Sequence, residues 1–372
     1  MITTEDLRMM DDVFGDDMIK LIGPSLLSFP DGIDGSRLNM LSQNTKAILI
    51  LKNGDVPRIF TGEENNIGKH SKGYKKLKGE WEVVKKIRKF DNHIYSLVLY
   101  NAKEDKYDII EKKPAEDLTE KFGYTFDCTN MDLLEEGDVI KDYILYQSTA
   151  FDKYGNYRLG VQAKTAIVTD PCTLEDAIKI RRGFANRIIA TEVDTATVPI
   201  NQNDIPLNLR GDETFYKPIP DIGEKCEDAT ICATRRVNYK NVTFDFQNKN
   251  TRDIQNTDAE YVADHGFTIY DMDIYCNNPD GFPENEFFAQ IKGYYDQISE
   301  YAKEITLACK EIKQSGSKYT KNVGYMKYRY QHYNDPDIPW ESKDGREFGN
   351  IIINFHTMTD ISVKEGYKLT GR

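Results

Sequence analysis

The strongest constraint in this chain is a succession of short stretches in which apolar and polar residues alternate. "EWEVVKKIRKF", "HIYSLVLYN", "KYDIIEKK" and "DVIKDYILYQ" follow one another between Ile59 and Arg187, parted by Gly and Asp turns. A period of two puts successive side chains on opposite faces of a pleated strand, so this region is expected to be β-rich. "LEEGDVIKDY" has a Gly-Asp turn feeding a strand, the texture of a small barrel-like module, and "PIPDIGEKCEDATICATRRV" repeats that texture further on. One stretch has the other period. Across 284–313, Phe287, Ile291, Tyr294, Ile298, Tyr301, Ile305, Ala308 and Ile312 recur every three or four residues, which predicts one long amphipathic helix. The chain then returns to β in "NIIINFHTMTDISV". The expected fold is β-rich α+β with a helix inserted late.

Composition narrows the function classes. Charged residues make up 30% and the mean hydropathy is −0.61, values of a soluble chain. No apolar run approaches the roughly 18 residues that a spanning helix needs. The start, "MITTEDLRMMDDVFGDD", is acidic and lacks the layout of a secretory signal, and a mild helical period follows it as far as Gly23-Pro24. None of the six cysteines forms a Cys-x-x-Cys pair, so they read as reduced core residues. His70, His93, His265, His332 and His356 show no metal-type spacing, which leaves zinc chemistry or a His-activated nucleophile little support.

A net charge of −12 argues against nucleic acid for the chain as a whole. Locally, "KHSKGYKKLKGEWEVVKKIRK" (Lys69 to Lys89, with Lys75 and Lys76) is basic with Tyr74 and Trp81 interleaved. It reads either as a solvated strand pair or as a face presented to phosphates. Arg37 follows a Gly-rich turn at the mouth of a helical segment, where a guanidinium grips phosphate or is merely solvated. The adjacent acids Glu175 and Asp176 in "PCTLEDAIKIRRG" suit a hard cation such as Mg²⁺, or the first turn of a helix. Lys368 and Arg372 flank a flexible turn after Gly366, and there the choice is polyanion contact or solvation.

Taken in order, these pieces resemble the second-largest (β) subunit of multisubunit DNA-dependent RNA polymerases, as a split fragment of the giant-bacteriophage type. "LLSFPDGIDGSRLNMLSQNTKA" is similar to the family's segment running from Phe and acids through an arginine to a later basic residue. "PRIFTGEE" resembles its Pro-x-x-x-Thr-Gly-x-Glu stretch, "LEEGDVIKDY" its Gly-Asp-Val-Leu-Ala-Asp, and "LEDAIKIRRGFANR" its Glu-Asp-Ala-Ile. "PIPDIGEKCEDATICATRRV" looks like its Gly-Asp-Ile-Leu-Val-Gly-Lys-Val stretch and "VKEGYKLTGR" its Gly-Asp-Lys-Met-Ala-Gly-Arg. The matches run from about residue 25 to the end. The largest subunit's Asn-Ala-Asp-Phe-Asp-Gly-Asp motif does not occur.

The resemblance implies residue roles. Arg37 would contact the incoming nucleoside triphosphate, with Lys46 as the later basic residue. Glu175 and Asp176 would sit beside the second, nucleotide-borne Mg²⁺, the catalytic Mg²⁺ being held mainly by another subunit. Lys368 would line the path of the nascent RNA 3′ end, and Arg372, Lys75 and Lys76 would contact nucleic acid. It further implies part of a double-psi β-barrel and a flap-like β module. Their bounds would be a lead-in at 1–28, an active-site region at 29–190, the flap-like module with the long helix at 191–345, and a return strand and loop at 346–372. The implied partners are the other polymerase subunits, template DNA, nascent RNA and nucleoside triphosphates, with no membrane. The implied location is the cytoplasm of an infected bacterium or the virion. Because the family's His-Gly-Asn-Lys-Gly continuation is missing after Arg372, a partner chain or a longer product is expected to supply it. Two other classes fit the bare residues: a non-enzymatic phage structural or scaffolding protein, and a stand-alone Mg²⁺ nuclease built on Glu175 and Asp176.

Overall fold

The computed structural model of the chain describes residues 32–38, 40, 51–62, 64–65, 73–90, 93–119, 122–158, 160–169, 171, 177–201, 203–236, 254, 256–263, 266–281, 286–335, 337–340 and 351–367. Within them the alternating stretches become strands. In chain order these are β1 (Tyr74–Lys76), β2 (Glu80–Phe90), β3 (Ile94–Asn101), β4 (Lys106–Glu111), β5 (Ala115–Thr119), β6 (Phe122–Asp127), β7 (Val139–Lys141) and β8 (Ile144–Ser148). Then come β9 (Ile189–Ile200), β10 (Asp204–Pro206), β11 (Thr230–Arg236), β12 (Ala259–Val262), β13 (Thr268–Tyr275), β14 (Lys318–Tyr319) and β15 (Ile351–Ser362). The helices are α1 (Thr129–Asp132), α2 (Arg182–Ala185), α3 (Glu286–Ser315) and α4 (Lys321–Tyr330).

The largest sheet has the order β1-β8-β6-β9-β15-β13, with β5 added on β6, and curls into a half-barrel. Its spine is the antiparallel pair β9–β15, in register along all 12 residues from Ile351 opposite Ile200 to Ser362 opposite Ile189. Both strands are dense in Thr, Ile and Val, whose branched side chains suit a pleated surface. In β15 the alternation is clean: Ile351, Ile353 and Phe355 point into the core while their neighbours are half-exposed. A second sheet, β14-β4-β3-β2-β7, is covered on both faces, so β3 is buried almost throughout. Trp81, Val83, Leu97 and Leu99 pack on one side of it with Met131 and Leu134, and Ile87, Val98 and Ile109 pack on the other under the helices. The small sheet β10-β11-β12 completes the set.

Helix α3 joins the two larger cores. At 30 residues it is roughly 45 Å long. Phe288, Ile291, Tyr295 and Ile298 pack into the core of the half-barrel sheet. Tyr301, Ile305, Cys309 and Ile312 then cross onto the second sheet and α4. The spacing-based helix at 284–313 is thus present as Glu286–Ser315, with Ile291, Ile298, Tyr301, Ile305, Ala308 and Ile312 of the predicted stripe buried. Five described cysteines, Cys128, Cys226, Cys232, Cys276 and Cys309, are buried and unpaired, as reduced core residues should be. No helix among the described residues is long and apolar enough to cross a membrane.

Candidate functional site

Three stretches of chain meet at one end of the β9–β15 pair. Ile189 and Ala190, where β9 begins, lie opposite Ser362 and Ile361, where β15 ends. The contact continues past the strands, because Val363 donates its N–H to the Ile188 carbonyl at 3.2 Å. On the free edge of β9, beyond its pairing with β6 at Thr191 and Glu192, Leu51 forms a bridge with Ala190 and Lys52 N donates to Ile189 O at 2.7 Å. From this strand end, one chain direction leads through α2 and residues 177–181, which form no helix or strand, toward Glu175 and Asp176. A second leads from Val363 toward Lys368, and a third from Leu51 back toward Lys46. Glu175, Asp176, Lys368, Arg372 and Lys46 themselves lie outside the described residues.

Charges pin this junction. Lys52 Nζ pairs with Asp360 at 2.7 Å, and Thr191 Oγ1 donates to the other oxygen of the same carboxylate at 2.9 Å. Asp55 makes three further contacts: its backbone N–H donates to Gly160 O, its Oδ2 accepts from Gln162 N at 2.8 Å, and Arg187 Nη2 lies 3.0 Å away. The approach is close enough to demand glycine. A Cβ on Gly54 would lie 2.8 Å from the Arg158 carbonyl oxygen and 3.2 Å from that of Gly160. In the "TGEE" stretch, Glu64 is buried and its carboxylate accepts from Thr61 N, Thr61 Oγ1 and Gly62 N. Tyr157 N donates to the Glu64 carbonyl, which ties this turn to the same neighbourhood.

Lys75 and Lys76 stand apart from the junction, and Arg37 makes no hydrogen bond or ion pair to it among the described residues. Residues 35–38 are helical behind Asp34, whose carbonyl accepts from Leu38 N at 2.9 Å. The Ser36 hydroxyl on the Asp34 carboxylate, with neighbouring backbone N–H groups and Arg37, holds Asp34 below the usual carboxylate value. Arg37 extends from that turn into solvent. Lys75 and Lys76 belong to β1 at the edge of the half-barrel sheet, with β8 and β6 between them and β9. The basic strip does not present one face. Register shifts at Val83/Lys85 and Arg88/Phe90 turn Lys86 and Lys89 inward, in a sheet with no wet side. Lys86 Nζ donates to Leu134 O at 2.7 Å and to Glu135, and Lys89 is fully enclosed.

Lys89 centres a charge cluster that joins the two sheets and that sequence reading missed. Its ammonium lies 2.8 Å from Asp271 and 3.1 Å from Asp273, both on β13. Arg329 of α4 reaches Glu111 of β4 at 2.9 Å and Asp273 at 3.1 Å. The Tyr330 and Tyr301 hydroxyls donate to Glu111 at 2.8 and 3.2 Å. His356 on β15 bridges Asp273 and Thr195, each at 3.1 Å. Asp271, Asp273 and His356 converge within 4.8 Å, a spacing open to a metal. Lys89 holds Oδ1 of both aspartates, and Arg329 and His356 share Oδ2 of Asp273, so a salt-bridge network already supplies the positive charge there. Burial alone would raise the Asp273 carboxyl, but Lys89 and Arg329, then His356, hold it well below its usual range. Glu111 is lowered the same way, burial being outweighed by Arg329, Lys113 and Lys89. Lys89 is raised, because Asp271 and Asp273 outweigh its own burial.

The sign of the pH dependence follows. Asp273 and Glu111 carry lowered values in the fold against ordinary values of 3.8 and 4.5. Their contribution is therefore complete above about pH 5 and is lost as pH falls below about 4.5 through the lowered values. Lys89 acts oppositely: its contribution is complete below 10.5 and is lost only as pH rises beyond it. Urea midpoints should be flat with respect to these groups between pH 5 and 7 and fall steeply below about pH 4.5. A midpoint that stays constant down to pH 3 would contradict the charge assignment.

No protein-family model matches the chain, and no curated protein matches it.

Proposed function

We propose that this chain is a fragment of the second-largest subunit of a multisubunit RNA polymerase, of the split giant-bacteriophage type, and that it works only in assembly with other subunits. The observation that carries the reading is the junction of Leu51, Ile189 and Ser362 at one strand end, because three stretches far apart in the sequence lie side by side there, and each continues along the chain toward one of the segments that carry the resemblance. The order of the motif matches agrees with it, and the half-barrel sheet suits part of a double-psi barrel. The run before the acid pair also suits an assembled subunit. Ile167 and Val168 are exposed at 104% and 74%, apolar surface that a partner chain would cover.

The chemistry asks little of a nucleophilic side chain. Nucleotidyl transfer depends on alignment of the RNA 3′ hydroxyl with the α-phosphorus and on neutralising charge on the triphosphate. In this reading Arg37 binds triphosphate oxygens, Lys368 holds RNA near the 3′ end, and Glu175 with Asp176 orients the nucleotide-borne cation. Adjacent carboxylates are the hard oxygen donors that Mg²⁺ takes one or two at a time, and bound Mg²⁺ stabilises the pyrophosphate leaving group. Lys46, Lys75, Lys76 and Arg372 contribute phosphate contacts.

The test is purification of the native complex. Co-elution of this chain with several others, one of them bearing the Asn-Ala-Asp-Phe-Asp-Gly-Asp motif, together with RNA synthesis that needs this chain, supports the reading. A chain that self-assembles alone and leaves RNA synthesis unaffected returns it to the structural-protein class. Metal-dependent cleavage of nucleic acid by the isolated chain assigns it to the nucleases.

A further inference from the structure

From Ile312 to Tyr333 the chain has no Asp or Glu, although the whole protein carries 61 acids and a net charge of −12. The same stretch interleaves Lys318, Lys321 and Lys327 with Tyr319, Tyr325 and Tyr328. The fold turns this pattern into a surface. Helix α4 buries Val323, Met326 and Tyr330, and its outer face carries Lys321, Tyr325 and Tyr328 at helical spacing. Tyr325 and Tyr328 are 57% and 68% exposed, and Tyr319 on β14, just before the helix, is 46% exposed. Unlike Lys86 and Lys89 of the first basic strip, Lys318, Lys321 and Lys327 are in no ion pair among the described residues.

Beside the helix lies a half-open cleft of about 660 Å³ walled by Tyr275, Tyr325, Tyr328, Tyr333 and Trp340. Trp340 is held by stacking on His332, with ring centres 4.2 Å apart, and by the edge of Tyr333 at 5.2 Å. Its indole N–H is shielded from solvent and has no hydrogen-bond acceptor among the described residues. Asp273, Asp337 and Arg329 also line the cleft, Asp273 being paired with Lys89 and Arg329.

We infer that α4 and this cleft bind single-stranded nucleic acid, with bases stacked on Tyr325 and Tyr328 and the backbone lying over Lys318, Lys321 and Lys327. Interleaved aromatic rings and unpaired cations are what a sequence-tolerant single-strand surface requires. The division of labour is set by position: the exposed tyrosine rings offer faces to bases, and the lysines, which are in no ion pair among the described residues, offer charge to the backbone. The surface is separate from the strand-end site. It relies on the polymerase reading only for which strand would reach it, so the two can fail independently.

The test uses the full-length chain and a short labelled oligo(U) RNA, its DNA counterpart and a duplex of the same length, read by fluorescence anisotropy. Saturable binding of the single strands, tighter than that of the duplex, is expected. Tyr325→Ala with Tyr328→Ala should weaken it at least about tenfold, as lost base stacking does. Lys321→Gln with Lys327→Gln should flatten the salt dependence by about 1.4, at about 0.7 per phosphate contact. Since the chain has two tryptophans, Trp81→Phe leaves Trp340 as the sole indole, and oligo(U) should quench it. Lys321, Tyr325 and Tyr328 are exposed and Lys327 is half-buried with no ion pair among the described residues, so these substitutions on α4 should leave the thermal midpoint unchanged. No saturable binding, or binding that the tyrosine pair does not alter, overturns the inference. A tyrosine-pair variant that keeps RNA but loses co-elution with another polymerase chain overturns it in favour of a protein partner. Of the single strands, whichever binds more tightly, RNA or DNA, identifies the natural one.

Discussion

A polymerase complex reconstituted with Glu175→Ala and Asp176→Ala together is expected to add nucleotides at least about 100-fold more slowly than one with the unaltered chain. The magnitude is that of removing one preorganised electrostatic contact from a transition state, about 10²- to 10³-fold. The two acids are taken together because adjacent carboxylates compensate for one another. Lys368→Ala should cost less, about tenfold, since it removes one of several phosphate contacts. Both effects should fall on the rate of nucleotide addition at saturating substrate, with the complex still assembled. Unchanged addition rates in both variants would contradict the residue roles.

Lys89→Met is the corresponding expectation for the fold. It leaves Asp271 and Asp273 enclosed, with Arg329 and His356 the remaining partners of Asp273 and the Met272 N–H on Asp271. An uncompensated buried charge costs about 3–5 kcal/mol. At about 2–4 °C per kcal/mol, that lowers the thermal midpoint by on the order of 10 °C. Lys89→Met combined with Asp271→Asn should recover part of the loss, because the second change removes an orphaned charge. The coupling between them should be visible in a double-mutant cycle. A shift below about 1 kcal/mol for Lys89→Met would mean that the cluster is not closed to water.

What could be read from the sequence was what repeats locally. The three- and four-residue spacing of Ile291, Ile298, Tyr301, Ile305 and Ile312 located α3 within two residues at each end of the expected span. Alternation located the strands, because Trp81 and Val83 follow the pleat on one face of β2. The same rule failed a few residues on. After the register shifts in β2, lysines of a seemingly solvated run point into the protein, and their partners Asp271 and Asp273 lie far along the chain. No local pattern marks such a pairing. The junction of Leu51, Ile189 and Ser362 was likewise invisible to periodicity. The α4 surface had a readable signal in its run without acids and its interleaved Lys and Tyr. It was overshadowed by the denser basic strip, whose inner lysines are spent in ion pairs.

The most direct measurement is a photo-crosslink from the RNA 3′ end. An elongation complex halted with a 4-thiouridine at the 3′ terminus should, on irradiation, label this chain, and the labelled peptide should include Lys368. Label confined to other chains of an active complex would contradict the assignment of this protein to the polymerase active site.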